Sequence, residues 1–148
     1  MINGTEFSNY TLVGKHFIDM ATQANDKGDY FPIYMVCNGI EMLGIIIAED
    51  VTTLFMNYFN DHGVIHPLVE TPFSRESRFF SKLPQDIYEA MFSEKLTYFA
   101  HSNGFTLETW VGNKKLTDFF NVLSITADKD GKWFISTIEA KEYPIYGV

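Results

Sequence analysis

The first third of the chain alternates between helical and strand-like apolar patterns. Residues 12–24 carry apolar side chains at a spacing close to one helical face, which predicts an amphipathic helix. Residues 30–36 form a short, nearly continuous apolar run that predicts a buried, parallel strand. The Asn-Gly pair at 38–39 breaks this strand, and residues 40–48 have the length of a helix, although their run of isoleucines is equally compatible with a strand.

The rest of the chain is predicted to be richer in strands. Residues 52–59 are a strand candidate closed by the turn at 60–63, residues 67–81 form a loop, and Pro84 introduces a short helix at 85–92. Further strand candidates follow, and one pair of them has the strongest hairpin pattern in the chain, 119–126 with 133–139; the others are 96–100, 105–111 and 143–148. Early alternation and late strand pairing together predict an α/β fold with a mixed sheet.

Composition and charge narrow the class of protein. The chain has 148 residues, of which 46% are hydrophobic and 20% charged, so we predict a single globular domain over residues 1–148. A net charge of −8 argues against nucleic acid as a partner, because phosphate binding needs a basic face. No apolar run approaches the ~20 residues of a membrane span, and no signal peptide opens the chain, so we expect no membrane partner.

The single cysteine, Cys37, lies at the end of the predicted strand 30–36 and at the entrance to a predicted helix. Helix amides and the helix dipole stabilise a thiolate at such a position, and the following amide, that of Asn38, can help to hold a developing oxyanion. Free cysteine is also among the most buried residue types. A small, buried and inert Cys37 is therefore the alternative interpretation.

The segment around Cys37, GDYFPIYMVCNGIEML at residues 28–43, resembles the nucleophile segment of the γ-glutamyl hydrolases, which belong to the class I glutamine amidotransferase-like superfamily. Residues 116–148 resemble the segment that leads to the catalytic histidine of that family. Residues 67–84 resemble its loop with a Ser-Arg pair, here Ser77 and Arg78. The resemblance implies a flavodoxin-like sheet with flanking helices, incomplete in this chain.

The resemblance also implies an activity, which is cleavage of the γ-glutamyl bonds of folate poly-γ-glutamates through a cysteine thioester, without metal or cofactor. It assigns the nucleophile to Cys37, the oxyanion-binding amide to Asn38 and a supporting carboxylate to Glu41. Glu41 is equally well explained as a first-turn glutamate that the helix dipole favours. The substrate is then a small poly-γ-glutamyl molecule.

Several other side chains are candidates for substrate binding. Arg75 and Arg78 are natural clamps for substrate carboxylates, although either could be a solvated loop arginine. His101 matches a family histidine near the substrate site and could hold a glutamyl carboxylate or be a polar turn residue. Glu76 stands where the family has a histidine, which weakens the case for an anionic substrate. The remaining histidines are predicted to lie on the surface or in loops: His16, His62 and His66.

The sequence also departs from the family pattern, and the chain is expected to be truncated at both ends. The family general base follows the segment at 143–148, its glycine-rich second oxyanion donor precedes this sequence, and Met35 replaces the first glycine of the family elbow. These departures support a second hypothesis, an inactive relative that binds a γ-glutamyl ligand or a partner protein. The unfinished strand 145–148 would then offer an apolar edge, with a homodimer as one outcome.

Family members are typically lysosomal, vacuolar or secreted, so we expect one of these locations. Two N-glycosylation sequons fit that expectation, Asn3-Gly4-Thr5 and Asn9-Tyr10-Thr11. Short sequons also arise by chance, so glycosylation is left open.

Overall fold

A computed structural model describes residues 8–148; the sequon at Asn3 lies outside this range. The described elements are, in chain order, α1 (Asn9–Asp26), β1 (Ile33–Met35), α2 (Asn38–Ala48), β2 (Asp61–His66), β3 (Val69–Glu70), α3 (Gln85–Ser93), β4 (Thr97–His101), α4 (Leu107–Gly112), α5 (Lys114–Phe119), β5 (Phe120–Ala127), β6 (Trp133–Ala140) and β7 (Ile145–Gly147). A 3₁₀ turn spans Val51–Thr53. The described helices include none that is long and apolar enough to cross a bilayer.

The main sheet has five strands in the order β1-β7-β6-β5-β3, and β2 pairs with β4 in a separate two-stranded sheet. Strand β1 runs parallel to β7, whereas the other neighbouring pairs of the main sheet are antiparallel. This confirms the predicted α/β fold with a mixed sheet, and the arrangement is compatible with a flavodoxin-like fold. The predicted hairpin is confirmed as β5 and β6.

Helix α2 packs on one face of the sheet and contributes five of the fifteen buried residues that form the larger core cluster within residues 8–148. Its buried residues include Leu43 and Ile45, which lie in one cluster with Ile138 of β6 and Ile145 of β7. The other face is covered by the loop after β3 and by α3, through a smaller cluster that comprises Leu68, Phe80, Tyr88 and Leu123. The run of isoleucines is therefore helical, and it is buried because α2 lies between the sheet and the other helices.

Helix α1 confirms the predicted helix but not its predicted buried face. Its buried residues are Thr11, Gly14, Ile18 and Ala21, and a Cβ at Gly14 would overlap Met42 of α2. Small residues thus allow the two helices to approach closely. The bulkier apolar residues of the predicted face are largely exposed instead: Leu12, Val13, Phe17 and Met20.

Strand β1 is parallel to β7, as predicted, but it is not buried. It lies at the edge of the sheet, and Tyr34 and Val36 are each 57% exposed. The prediction of an unfinished edge at 145–148 is also wrong, because β7 lies between β1 and β6. Within residues 8–148 the strand that leads to Cys37, β1, therefore forms one edge of the main sheet.

Two predicted strands were wrong because capping side chains impose other structure. Only the first two residues of 52–59 lie in the 3₁₀ turn, where the Asp50 side chain accepts from the Thr52 amide. The rest form no strand beyond an isolated bridge of Phe55 to Gly104, and β2 begins only at Asp61, within the predicted turn. At 105–111 the chain forms α4, because the Thr106 side chain accepts from the Thr109 amide and Trp110 is buried. Helix α3 confirms the helix predicted after Pro84.

Substitution of Gly44 by alanine is expected to lower the free energy of unfolding by about 3 kcal/mol, since a Cβ there would overlap the buried ring of Phe105. Gly112→Ala is the matched control, because a Cβ at Gly112 meets no atom within 4 Å. That control should gain about 0.5 kcal/mol from lower backbone entropy of the unfolded chain. Urea unfolding followed by circular dichroism measures both, and equal stabilities would contradict the close contact.

Candidate functional site

Cys37 lies in a sharp turn between β1 and α2. Its backbone has φ 56° and ψ −119°, a positive φ that is costly for a residue with a side chain. The turn is held by hydrogen bonds from the Cys37 amide to the Val148 carbonyl at 2.8 Å and from the Val148 amide to the Met35 carbonyl at 2.9 Å. Cys37 is exposed, so the interpretation of Cys37 as a buried residue is wrong.

The turn places Cys37 directly before Asn38, the first residue of α2. Cys37 is the N-cap of that helix and therefore stands at the positive end of the helix dipole. The next amide, that of Asn38, donates to none of the other residues in the range 8–148. An amide that is free at this point is able to donate to an oxygen that develops beside the sulfur.

Met35 and Gly39 pack against each other across the turn. An added Cβ at Gly39 would lie only 2.9 Å from the Cβ of Met35. The side chain of Met35, which stands where the family elbow has its first glycine, is therefore accommodated because Gly39 has no side chain. The Gly39 amide closes the turn by donating to the Val36 carbonyl at 2.9 Å.

A cavity of about 290 Å³ opens beside this turn, and it brings several predicted residues together. Cys37, Glu41 and His101 line it, and so does Asn103, which the sequence did not single out. Most of the remaining wall is aromatic or aliphatic, with Phe134 beneath His101. The residues that line it include neither lysine nor arginine.

Glu41 lies one helical turn after Cys37 and is half-buried. Burial raises the pKa of its carboxyl group, and a hydrogen bond from the Asn103 side chain offsets part of that rise. The Asn103 amide is oriented for this donation, because its Oδ1 already accepts from the Asn57 amide at 2.9 Å. Asn103 is the residue that sequence reasoning missed, and its position in a polar turn gave no periodic signal.

The difference in the free energy of unfolding between Glu41→Gln and wild type is expected to shift in favour of the variant as the pH rises. A raised carboxyl pKa favours folding below the unfolded pKa, near 4.3, and that contribution is lost as the pH passes the folded pKa. Urea unfolding of both proteins between about pH 4 and pH 7 measures the difference. The exposed Glu108→Gln is the control, and a Glu41→Gln difference that is flat with pH would contradict the assignment.

His101 is fixed in one orientation by its own turn. Its Nδ1 lies 2.7 Å from the Asn103 carbonyl oxygen, which can only accept, so Nδ1 carries a proton and donates it. In the neutral ring Nε2 is then the acceptor. The ring packs edge to face on Phe134 with the centroids 4.5 Å apart. This geometry leaves His101 able to accept a proton or a hydrogen bond at Nε2.

Arg78 is not among the residues that line the cavity. Its guanidinium donates to the backbone carbonyls of Ala140, Lys141 and Tyr143, and it lies 3.8 Å from the Glu139 carboxylate. Because these acceptors occupy the guanidinium, Arg78 holds the end of β6 and the turn before β7. Its predicted role in substrate binding stays a prediction.

The other predicted residues lie away from the cavity wall. Arg75 is exposed and stacks 4.4 Å over the ring of Tyr88, and Glu76 is exposed as well. His16 and His62 are exposed, whereas His66 is half-buried with its Nε2 2.9 Å from a carboxylate oxygen of the fully buried Asp61. The described residues contain no cluster of side chains suited to a metal ion.

No protein-family model matches the chain, but curated proteins do. It is 37% identical over 142 residues to the gamma-glutamyl hydrolase of Rattus norvegicus and 36% identical over 142 residues to that of Homo sapiens; each match covers 95% of this chain and 43% of the relative. It is 34% identical over 138 residues to gamma-glutamyl hydrolase B of Dictyostelium discoideum, covering 93% of this chain and 38% of the relative. The chain thus spans about two-fifths of the length of these relatives.

Proposed function

We propose that this chain, which belongs to the γ-glutamyl hydrolase family, carries the nucleophile of a cysteine-type γ-glutamyl hydrolase at Cys37. The observation that supports this most directly is the exposed Cys37 with positive φ at the start of α2, beside a cavity that Glu41 and His101 also line. A sharp strand-to-helix turn of this kind presents a nucleophile above the sheet. The substrate class we propose is the folate poly-γ-glutamates, in a lysosome, a vacuole or outside the cell.

The proposed reaction has two steps. The Cys37 thiolate attacks the γ-carbonyl carbon, the C–N bond breaks, and the leaving amine takes up a proton, which leaves a thioester on Cys37. Water then adds to the thioester carbonyl, and the sulfur leaves as the thiolate while the γ-carboxylate is released. The Asn38 amide would stabilise the oxyanion in both steps, and the N-terminus of α2 would stabilise the thiolate.

The proton transfers are proposed to need a base beside the end of β7. The family resemblance implies that such a base follows residues 143–148, and Val148 is hydrogen-bonded to the turn, since its carbonyl accepts from the Cys37 amide and its amide donates to the Met35 carbonyl. General base assistance typically contributes 10²- to 10⁴-fold. For the 148 residues alone we therefore expect acylation of Cys37 to be easier to detect than turnover.

An inactive relative that binds a γ-glutamyl ligand or a partner protein is the second candidate. The absence of lysine and arginine from the residues that line the cavity weakens the case for a poly-anionic ligand, because such a ligand would normally be met by these side chains, and so favours the partner protein within this candidate. The two candidates differ in whether the thiol of Cys37 is reactive.

The experiment is to incubate the 148-residue chain with a γ-glutamyl chloromethyl ketone at neutral pH and to record the intact mass. Because the chain has one cysteine, a single adduct reports on Cys37 alone, and Cys37→Ala is the control. We expect one adduct on the unchanged chain, none on Cys37→Ala, and protection by a folate polyglutamate. A folded chain that binds the polyglutamate but forms no adduct would instead support the inactive relative.

A further inference from the structure

We infer that Thr137 provides a hydrogen-bond donor for a carbonyl or carboxylate oxygen of a ligand in the cavity beside Cys37. This inference rests on the proposed function for the identity of the ligand. It is carried by a chain of four buried hydroxyl groups between β5 and β6, two of which belong to residues that line the cavity, Ser136 and Thr137.

The four hydroxyl groups are linked by short hydrogen bonds in the interior of the sheet. Thr126 Oγ1 donates to Ser136 Oγ at 3.1 Å, and Ser124 Oγ donates to Thr137 Oγ1 at 2.7 Å. Ser124 Oγ and Ser136 Oγ are 2.9 Å apart, and the distance alone allows either to be the donor. None of these side chains is more than 6% exposed.

The donor and acceptor of each hydrogen bond among the four hydroxyl groups follow from the number of protons that the groups have. Each hydroxyl group has one proton to donate. Since Ser124 already donates to Thr137, the Ser124–Ser136 bond requires Ser136 as its donor. The protons therefore run from Thr126 through Ser136 and Ser124 to Thr137, and the proton of Thr137 is the one with no acceptor among residues 8–148.

A buried donor without an acceptor is costly, which indicates that something in the cavity accepts this proton. Hydrogen bonds in a chain also polarise one another, so the last donor is the strongest. The residues that line this cavity include no lysine or arginine. A ligand oxygen that enters beside Cys37 would thus be met by neutral donors, and Thr137 is the buried one.

The test compares Thr137→Val with Thr126→Val, both in the Cys37→Ala background so that no reaction intervenes. The two variants remove the same hydroxyl group from opposite ends of the same buried chain, and Thr126 does not line the cavity. The ligand is γ-glutamylglutamate, with its dissociation constant measured by calorimetry. We expect Thr137→Val to raise that constant about tenfold and Thr126→Val to change it less than about twofold.

Thr137→Ser keeps the hydroxyl group and is expected to restore the affinity, which separates loss of the donor from disturbed packing. Equal losses in the two valine variants, or no binding of the dipeptide to the folded Cys37→Ala chain, would overturn the inference. A different result would refute the proposed reaction and leave the inference on Thr137 standing: the chloromethyl ketone does not modify Cys37 of the unchanged chain, but the Thr137 variants still differ in affinity.

Discussion

Replacement of Glu139 by leucine is expected to lower the free energy of unfolding by about 4 kcal/mol, the largest loss that we predict for a single substitution. Glu139 is 4% exposed, and its carboxylate accepts from the amides of Arg78 and Phe79 at 3.2 and 2.8 Å. Leucine would fill the space but leave both amides without an acceptor and the Arg78 guanidinium without the carboxylate that lies 3.8 Å from it. Urea unfolding measures the loss.

Glu142→Leu is the matched control, since Glu142 is exposed and lies three residues along the same segment. It should change the stability by no more than about 0.5 kcal/mol. If the two leucine variants were equally stable, the carboxylate of Glu139 would not hold the loop as the structure indicates.

The same contacts give Arg78 an expected effect on stability and not on ligand affinity. Its side chain is 45% exposed and its guanidinium donates to three backbone carbonyls, so Arg78→Met should cost about 2 kcal/mol after allowance for solvent screening. The dissociation constant of γ-glutamylglutamate should change less than about twofold, because Arg78 does not line the cavity. A tenfold higher dissociation constant with unchanged stability would instead support the substrate clamp predicted from the sequence.

The sequence predicted a helix or hairpin correctly where the hydrophobic periodicity and turn residues of that element alone determine it. The helices near 12–24 and 85–92 and the hairpin of β5 and β6 were correct because periodicity and turn residues act within a few positions, whereas the pattern at 40–48 left helix and strand open and the fold makes it a helix. The strand predicted at 105–111 failed because one side-chain cap, Thr106, and the burial of Trp110 outweigh an apolar pattern that suits either structure. Exposure of β1 could not be predicted, because it depends on which strands flank it.

The site shows the same division between local and long-range information. The position of Cys37 between a strand and a helix was readable from its neighbours, and so was Glu41 one helical turn away. The approach of Asn103 and His101 to Glu41 joins residues about sixty positions apart, and only the tertiary fold supplies it. The hydroxyl chain between β5 and β6 depends on strand register, which a sequence pattern leaves open.

Gly39→Ala is expected to slow the labelling of Cys37 by a γ-glutamyl chloromethyl ketone by about 100-fold while the chain stays folded. The new Cβ would lie 2.9 Å from the Met35 Cβ, so the turn must shift, and a displacement of about 1 Å at a nucleophile can cost this much in rate. The rate is followed by intact mass over time. A small reagent, iodoacetamide, reports separately on whether the thiol is still accessible.

The close contact in Gly39→Ala is between its new Cβ and the Cβ of Met35, so a second substitution that removes the Met35 Cβ should restore the labelling rate. Met35→Gly in the Gly39→Ala background removes the opposing Cβ and should restore most of the labelling rate, whereas Met35→Ala keeps that Cβ and should not. Rescue by both variants would mean that the longer part of the methionine side chain causes the clash; rescue by neither would mean that Gly39 is needed for another reason. Rescue by Met35→Gly alone would show that this chain keeps its turn at Cys37 by having one side chain, not two, at the crossing of β1 and α2.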